Sequence, residues 1–218
     1  MGEPAGLRER KKQETRQRIS DIATSLFTSR GFDEVTVAEV AEAANVSKMT
    51  VFNYFTRKED LFFDRLPEAT TLLTGAVLGR PPGVSPVAAV RAYLLDLIAR
   101  GHPLSGVGSD YTVFWRTVLA SPALRARARE ALEELEDALA EALSHDNSEP
   151  DAPGADADGG GNPEAARMTA ALIIVVLRSA YRLAASRQLA GEAAEVIAAD
   201  QPALINRWFD AIDRAIQG

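Results

Sequence analysis

The chain has 218 residues, 46% hydrophobic and 25% charged, a composition that suits a soluble globular protein of one large or two small domains. It contains no cysteine, which excludes disulfides, thiolate metal sites and cysteine nucleophiles. The net charge of −7 argues against general nucleic-acid affinity, yet residues 1–65 hold 11 basic and 11 acidic side chains, so the whole excess lies in the remaining 153.

Met1–Gln17 is polar and basic and lacks the apolar stretch of a signal peptide. The longest unbroken apolar run, Ala170–Leu177, is too short to cross a bilayer. The expectation is a cytoplasmic chain without a membrane partner. Residues 1–11 read as a basic arm. Arg8, Arg10, Lys11, Lys12, Arg16 and Arg18 face only Glu9 and Glu14 over Leu7–Arg18, a local charge of +4. That is either an electrostatic footprint for phosphates or a solvated helix start. A first helix is predicted from Lys12 to Arg30, with Ile19, Ile22, Ala23, Leu26 and Phe27 on one face and Gly31 ending it.

The densest information lies between Thr36 and Phe63. Thr36-Val37-Ala38-Glu39 is a capping box, flanked by Val35 and Val40 at hydrophobic-staple spacing. Ser47 caps a second short helix, with Val46 and Val51 as its staple, and Thr56-Arg57-Lys58-Glu59 reads as a further capping box. Three starts so close together leave room only for short helices in a helix-turn-helix arrangement. On the second of them Val51 and Phe55 should point inward. Met49 and Asn53 then lie opposite, flanked by Thr50, Phe52 and Tyr54, with Lys48 in the first turn. This face suits a major groove: Asn53 can pair with adenine, Thr50 and Met49 can meet thymine methyls, and Lys48 can reach guanine or phosphate. Thr36 and Ser47 double as caps and as hydroxyls near the backbone, and Lys58 reads as a phosphate clamp. The bland alternative makes Phe52 and Tyr54 core residues.

Downstream everything reads as helix. Leu61, Phe62 and Leu66 lead into a helix that Pro67 bends, continuing through Leu72, Leu73, Ala76 and Val77. Arg80-Pro81-Pro82-Gly83 breaks it. Ser85-Pro86 opens a helix to Ile98, closed at Gly101-His102-Pro103, where His102 reads as a C-terminal cap. Asp110–Leu119 and Ala123–Leu143 follow. Residues 146–162, rich in Asp, Pro and Gly, are expected to form a mobile loop. Pro163 starts a long helix to Leu189, and the last is expected from Pro202 to Ile216.

Residues 12–66 resemble the N-terminal domain of the TetR family of bacterial transcriptional regulators. The matching features are the basic start, Ala23-x-x-Leu26-Phe27 before Gly31-Phe32, and Thr36-Val37-Ala38-Glu39-Val40-Ala41. Val46-Ser47, Thr50-Val51-Phe52-Asn53-Tyr54-Phe55 and Lys58-Glu59-Asp60-Leu61 complete them. The chain departs from the family pattern at Phe52, where Tyr is most frequent, and at Tyr54, where His is frequent. The resemblance implies an all-α fold of about nine helices: an arm at 1–11, a DNA-binding domain at 12–72 with its motif at 35–54, and a regulatory and dimerisation domain at 73–218. It also implies a homodimer on a pseudo-palindromic double-stranded DNA operator, acting as a repressor that a small hydrophobic or amphipathic ligand releases. A DNA-binding scaffold governed by a protein partner, with no small-molecule pocket, is the alternative.

Two further sites are expected. The apolar run 170–177, with the last helix, should build a four-helix dimer interface through Leu172, Val175, Val176, Leu204, Trp208, Phe209 and Ile212. Tyr111, Phe114 and Trp115, with Arg178 and Tyr181, are candidates for a ligand pocket or for plain core. Arg178 and Arg182 could anchor an anionic ligand, but the interface or an ion pair across it is the preferred reading. An enzyme is not expected: the only histidines are His102 and His145, and Gly159-Gly160-Gly161 has neither a preceding strand nor a following Lys. Neither a cofactor nor a metal is expected.

Overall fold

The computed structural model describes residues 6–146 and 162–217, so the expected loop lies almost wholly outside the described residues. Among those residues there are nine α-helices and no strand: α1 (Leu7–Arg30), α2 (Val37–Ala43), α3 (Lys48–Tyr54), α4 (Leu66–Leu78), α5 (Pro86–Ala99), α6 (Tyr111–Ala120), α7 (Pro122–Asp146), α8 (Pro163–Leu189) and α9 (Ala194–Gln217). Short 3-10 turns lie at Glu59–Leu61 and Pro103–Ser105. They divide into two compact units. The first runs to Asp64 and includes Arg116–Arg127; the second comprises Arg65–Trp115 and the chain from Ala128 on.

The first unit is built on α1. Ile19, Ala23 and Phe27 on its inner face are wholly buried, as are Val40, Val51, Phe55 and Leu61 to within 2%. Phe32 packs 4.8 Å from Phe27 between ring centroids, filling the gap beneath α2. Residues 116–127 complete this core with Val118 and Leu124. They also bring two polar ties: the Ser121 hydroxyl donates to Asp33 Oδ1 at 2.9 Å, and Arg127 Nε donates to Asp60 Oδ1 at 2.8 Å.

Three expectations are corrected here. α1 starts at Leu7 and not at the expected Lys12, so Arg8, Arg10 and Lys11 stand on the helix. The Thr56 capping box does not form: the chain makes a 3-10 turn with Lys58 at its N-cap and no side-chain cap. Pro67 does not bend a helix already under way but sits in the first turn of α4, where its missing N–H costs nothing.

In the second unit one large cluster makes most of the core, with a small one at Val107, Ala184 and Ile197 beside it. The large one joins Leu73 and Val77 of α4, Val90, Leu94, Leu97 and Ile98 of α5, and Leu135 and Leu139 of α7 to Ile173 and Leu177 of α8 and Ile205, Phe209 and Ile212 of α9. Ser85 caps α5 through the Ala88 amide at 3.1 Å, and Asn162 caps α8 through the amides of Glu164 and Ala165. By length and mean hydropathy (1.5) α8 could cross a membrane, but its Ile173, Ile174 and Leu177 are core. α9 begins at Ala194, eight residues before the expected start, because Pro202 is carried inside the helix.

Between α5 and α6 the chain is lashed down by side-chain donors. The Gly106 carbonyl accepts from Trp115 Nε1 at 3.1 Å and from Gln188 Nε2 at 2.9 Å. The Tyr181 hydroxyl donates to Leu104 O at 2.6 Å, and the Tyr111 hydroxyl donates to Pro103 O. His102 does not end α5 with its side chain, as expected; its Nδ1 accepts from the Leu104 amide and so caps the 3-10 turn that follows. Gly106 has φ +71°, and a Cβ there would lie 2.8 Å from Tyr181 Cδ1. Gly106→Ala should therefore destabilise the protein by about 2 kcal/mol, left-handed strain and overpacking together, measured by urea unfolding. Unchanged stability would contradict this reading of the loop.

Candidate nucleic-acid interface

The site begins with how α2 and α3 are joined. Thr36 Oγ1 accepts from the Glu39 amide at 3.2 Å, while Glu39 Oε2 accepts from the Thr36 amide and hydroxyl, each at 2.8 Å. Arg30 holds the other Glu39 oxygen at 2.7 Å. The Thr36 amide and the Arg30 guanidinium stabilise the charged form and lower the Glu39 carboxyl to about 2. α2 ends at Ala43; beyond its cap residue Ala44, Asn45 takes φ +53°, while the Val46 amide returns to Ala41 O at 2.9 Å. Asn tolerates this left-handed turn better than any residue with a branched Cβ. It was not singled out from the sequence, although a lone Asn between an alanine-rich helix and a Ser cap was a usable signal.

Ser47 Oγ accepts from the Thr50 amide at 3.0 Å and caps α3. With Val51 and Phe55 buried, the opposite surface is open. Met49 is 69% exposed and Phe52 43%; Lys48 and Asn53 are exposed, and Thr50 and Tyr54 are half-buried. Phe52 is thus not a core residue. Lys48 Nζ stands 5.9 Å from the Phe52 ring centroid, which keeps an ammonium on this surface. The Thr50 hydroxyl is shared with Ser47 at 2.8 Å, so both hydroxyls act first in the cap. Thr36 and Ser47 remain exposed at the helix starts.

Lys58 departs from its expected part. Its ammonium is turned into the head, donating to Phe32 O at 2.5 Å and standing 4.1 Å from the Phe32 ring centroid. Burial pulls it below the ordinary lysine range, against the attraction of Asp33 and Glu59. A lysine so engaged ties the chain after α3 to the loop before α2. Arg16 is likewise committed, to Asp64 O at 3.0 Å and to the Phe55 ring face. Arg8, Arg10, Lys11, Lys12 and Arg18 are exposed along α1.

In the second unit the expected pocket residues divide. Tyr111, Phe114 and Trp115 pack on one another, with centroid separations of 5.0–6.4 Å, and Trp115 stands 6.2 Å from Tyr181. Arg178 is exposed. Of them only Tyr181 lines the small cavity, of about 20 Å³, that lies among α5, α8, α9 and the Pro103–Ser105 turn. The expected dimer set also divides. Val176, Phe209 and Ile212 are buried in their own core, because an apolar helix spends its inner stripe there. Leu172, Leu204 and Trp208 are half-buried, and Val175 is 46% exposed on a face shared with Met168, Arg178 and Arg182. Gln188 and Gln201, each buried, were missed. Both stand where the helical period asks for an apolar residue, which was the available signal. No cluster of three metal-ligating side chains occurs among the described residues.

Residues 19–64 match the model of the "bacterial regulatory proteins, tetR family". The chain carries a tetR-family domain. It is 30% identical over 142 residues to the HTH-type transcriptional regulator TcmR of Streptomyces glaucescens, covering 64% of this chain and 63% of that one. With the regulator AcrR of Shigella flexneri it shares 42% over 50 residues, 23% of each chain. It thus spans less than two thirds of these relatives. The fold is that of NalD, the secondary repressor of the MexAB-OprM multidrug efflux pump of Pseudomonas aeruginosa (TM-score 0.55, 16% identity, 92% and 96% covered). It is also that of the TetR-family repressor AlkX of Dietzia (TM-score 0.52, 16% identity, 92% and 96% covered).

The tetR-type head makes one acid-sensitive prediction. Glu39 is depressed from 4.5 to about 2, so its capping contribution is present above its unfolded value and is lost as pH falls through its folded one. Glu39→Gln should lower the melting temperature at neutral pH, and the gap from the native protein should close between about pH 4.5 and 2. A gap independent of pH in melting curves would refute the cap's ionic character.

Proposed function

We propose that the protein is a homodimeric, sequence-specific DNA-binding transcriptional regulator. It acts in the cytoplasm as a repressor released from a pseudo-palindromic operator when a small apolar or amphipathic ligand occupies its second unit. The observation that carries the reading is the open face of α3, with Lys48, Met49, Phe52 and Asn53 exposed opposite a buried Val51 and Phe55. Asn53 supplies a paired donor and acceptor for adenine, Met49 and Thr50 supply methyl contacts for thymine, and Lys48 supplies charge. Thr36, Ser47, Tyr54 and the cations of α1 position the head on the backbone. Lys58 has no part in phosphate binding on this reading. Two heads would place α3 in major grooves about 34–36 Å apart.

Dimerisation is assigned to the outer faces of α8 and α9, through Leu172, Val175, Leu204 and Trp208, with Met168 added and Val176, Phe209 and Ile212 withdrawn. The ligand acts only to the extent that it binds the released geometry more tightly than the operator-bound one. The contact of the Tyr111, Phe114 and Trp115 rings with one another favours a second reading, in which a protein partner regulates the same head without a small-molecule site.

In gel-shift titrations, Asn53→Ala should lose about 1–3 kcal/mol of operator binding and relax specificity at one base pair. Lys48→Ala should weaken binding across sequences and flatten the salt dependence. Full, sequence-specific binding by both variants would remove α3 from the interface. Val175→Arg sets like charges against Arg178 and Arg182 and should raise the dimer dissociation constant about a hundredfold in analytical ultracentrifugation. An unaffected dimer would place the interface elsewhere.

A further inference from the structure

The cavity in the second unit has a chemistry that selects its occupant. It is lined by Leu94, Leu97, Ile98, Leu177, Ala180 and Ile205, with Leu104, and by three polar side chains, Ser105, Tyr181 and Gln201. No charged side chain lines it, so an ionised group inside would lose its hydration without a counter-charge. The three polar groups differ in what they have left to give. The Ser105 hydroxyl donates to Val107 O and accepts from the Val107 amide. The Tyr181 hydroxyl donates to Leu104 O at 2.6 Å, and its burial raises its ionisation far above the ordinary tyrosine range, so it stays neutral.

Gln201 is the one with an open obligation. It is 4% exposed; its Nε2 donates to Ala180 O at 3.4 Å, and its Oε1 has no hydrogen-bond partner. The Ala180 carbonyl fixes the orientation of the amide, since turning it over would set two oxygens against each other. A buried acceptor left unmade is costly, on the order of 1–3 kcal/mol, and in a folded protein it normally has a partner. Pro202 follows directly. It supplies no amide for the Ala198 carbonyl, so α9 is weakest beside the cavity and can yield there.

We propose that Gln201 Oε1 is the recognition group of the effector site. The effector is an uncharged, mainly apolar molecule that carries one hydroxyl or N–H donor, such as an alkylphenol. The inference rests on the ligand-released reading above and adds to it the ligand's chemical class. At about 20 Å³ the cavity holds little more than one water. An effector must therefore part the α5, α8 and α9 side chains around Gln201, and it prefers an expanded second unit. That differential preference is what a releasing ligand needs.

The test uses the full chain and two probes of matched shape, 4-ethylphenol and ethylbenzene, titrated up to their solubility limits by calorimetry. The native protein should bind the phenol about tenfold more tightly than the hydrocarbon, the worth of one hydrogen bond to a buried acceptor. Gln201→Met keeps the side-chain length without the acceptor and should bring the two affinities together. Equal affinities in the native protein overturn the proposal whether or not the variant folds. So does a preference for the phenol that survives in Gln201→Met, and so does binding of neither probe, which leaves the cavity to a single water. Operator binding without probe is measured in parallel by fluorescence anisotropy. A protein that discriminates the probes but never binds DNA would instead sink the regulator reading.

Discussion

Two side chains four residues apart, Val51 and Phe55, decide what α3 can do. Both are buried to within 2%, and burying each is worth about 1.5–3 kcal/mol. That is enough to fix the rotation of a seven-residue helix that has little stability of its own. Once that rotation is fixed, Met49 and Asn53 must face outward, because they stand on the far side of the helix. The proposed base contacts depend on that constraint. The caps serve it by setting where each short helix starts: Thr36 with Glu39 for α2, and Ser47 for α3. Asn45 serves it by accepting the backbone conformation that lets α2 stop and α3 leave.

The cations of the head divide by the same logic. Lys48 lies on the open face and keeps its charge available beside Phe52. Lys58 and Arg16 are bound to backbone carbonyls and stand over aromatic faces inside the head. A count of basic residues treats these as equal contributors to phosphate binding. Their hydrogen bonds separate them into one group that meets solvent and another that holds the head together. Arg127 belongs to the second kind, joined to Asp60 from a segment more than sixty residues away.

In the second unit the two buried glutamines are used differently. Gln188 is saturated by the Gly106 carbonyl, the Ala184 carbonyl and the Gly108 amide, and it fastens the loop between α5 and α6 to α8. Tyr181 and Trp115 fasten the same loop from either side. Gln201, on the core face of α9, is left with a free acceptor. The contrast between the two glutamines, one spent on structure and one not, sets the cavity apart from the rest of the core.

The sequence by itself determined the helical class, the two capped starts at Thr36 and Ser47, the inward pair Val51 and Phe55, and the outward set on α3. These are local matters: capping offsets and the 3.6-residue period operate within a few residues of each other. It also marked the run 170–177 as apolar all round, but periodicity cannot say which neighbour covers which stripe. Only the tertiary structure decided that Val176, Phe209 and Ile212 belong to the protein's own core and that the Tyr111, Phe114 and Trp115 rings pack on one another. It likewise decided that Lys58 turns inward, that residues 116–127 complete the head, and that Gln201 is buried with an unmet acceptor. Each of those depends on partners distant along the chain, and a residue's neighbours in sequence carry no record of them.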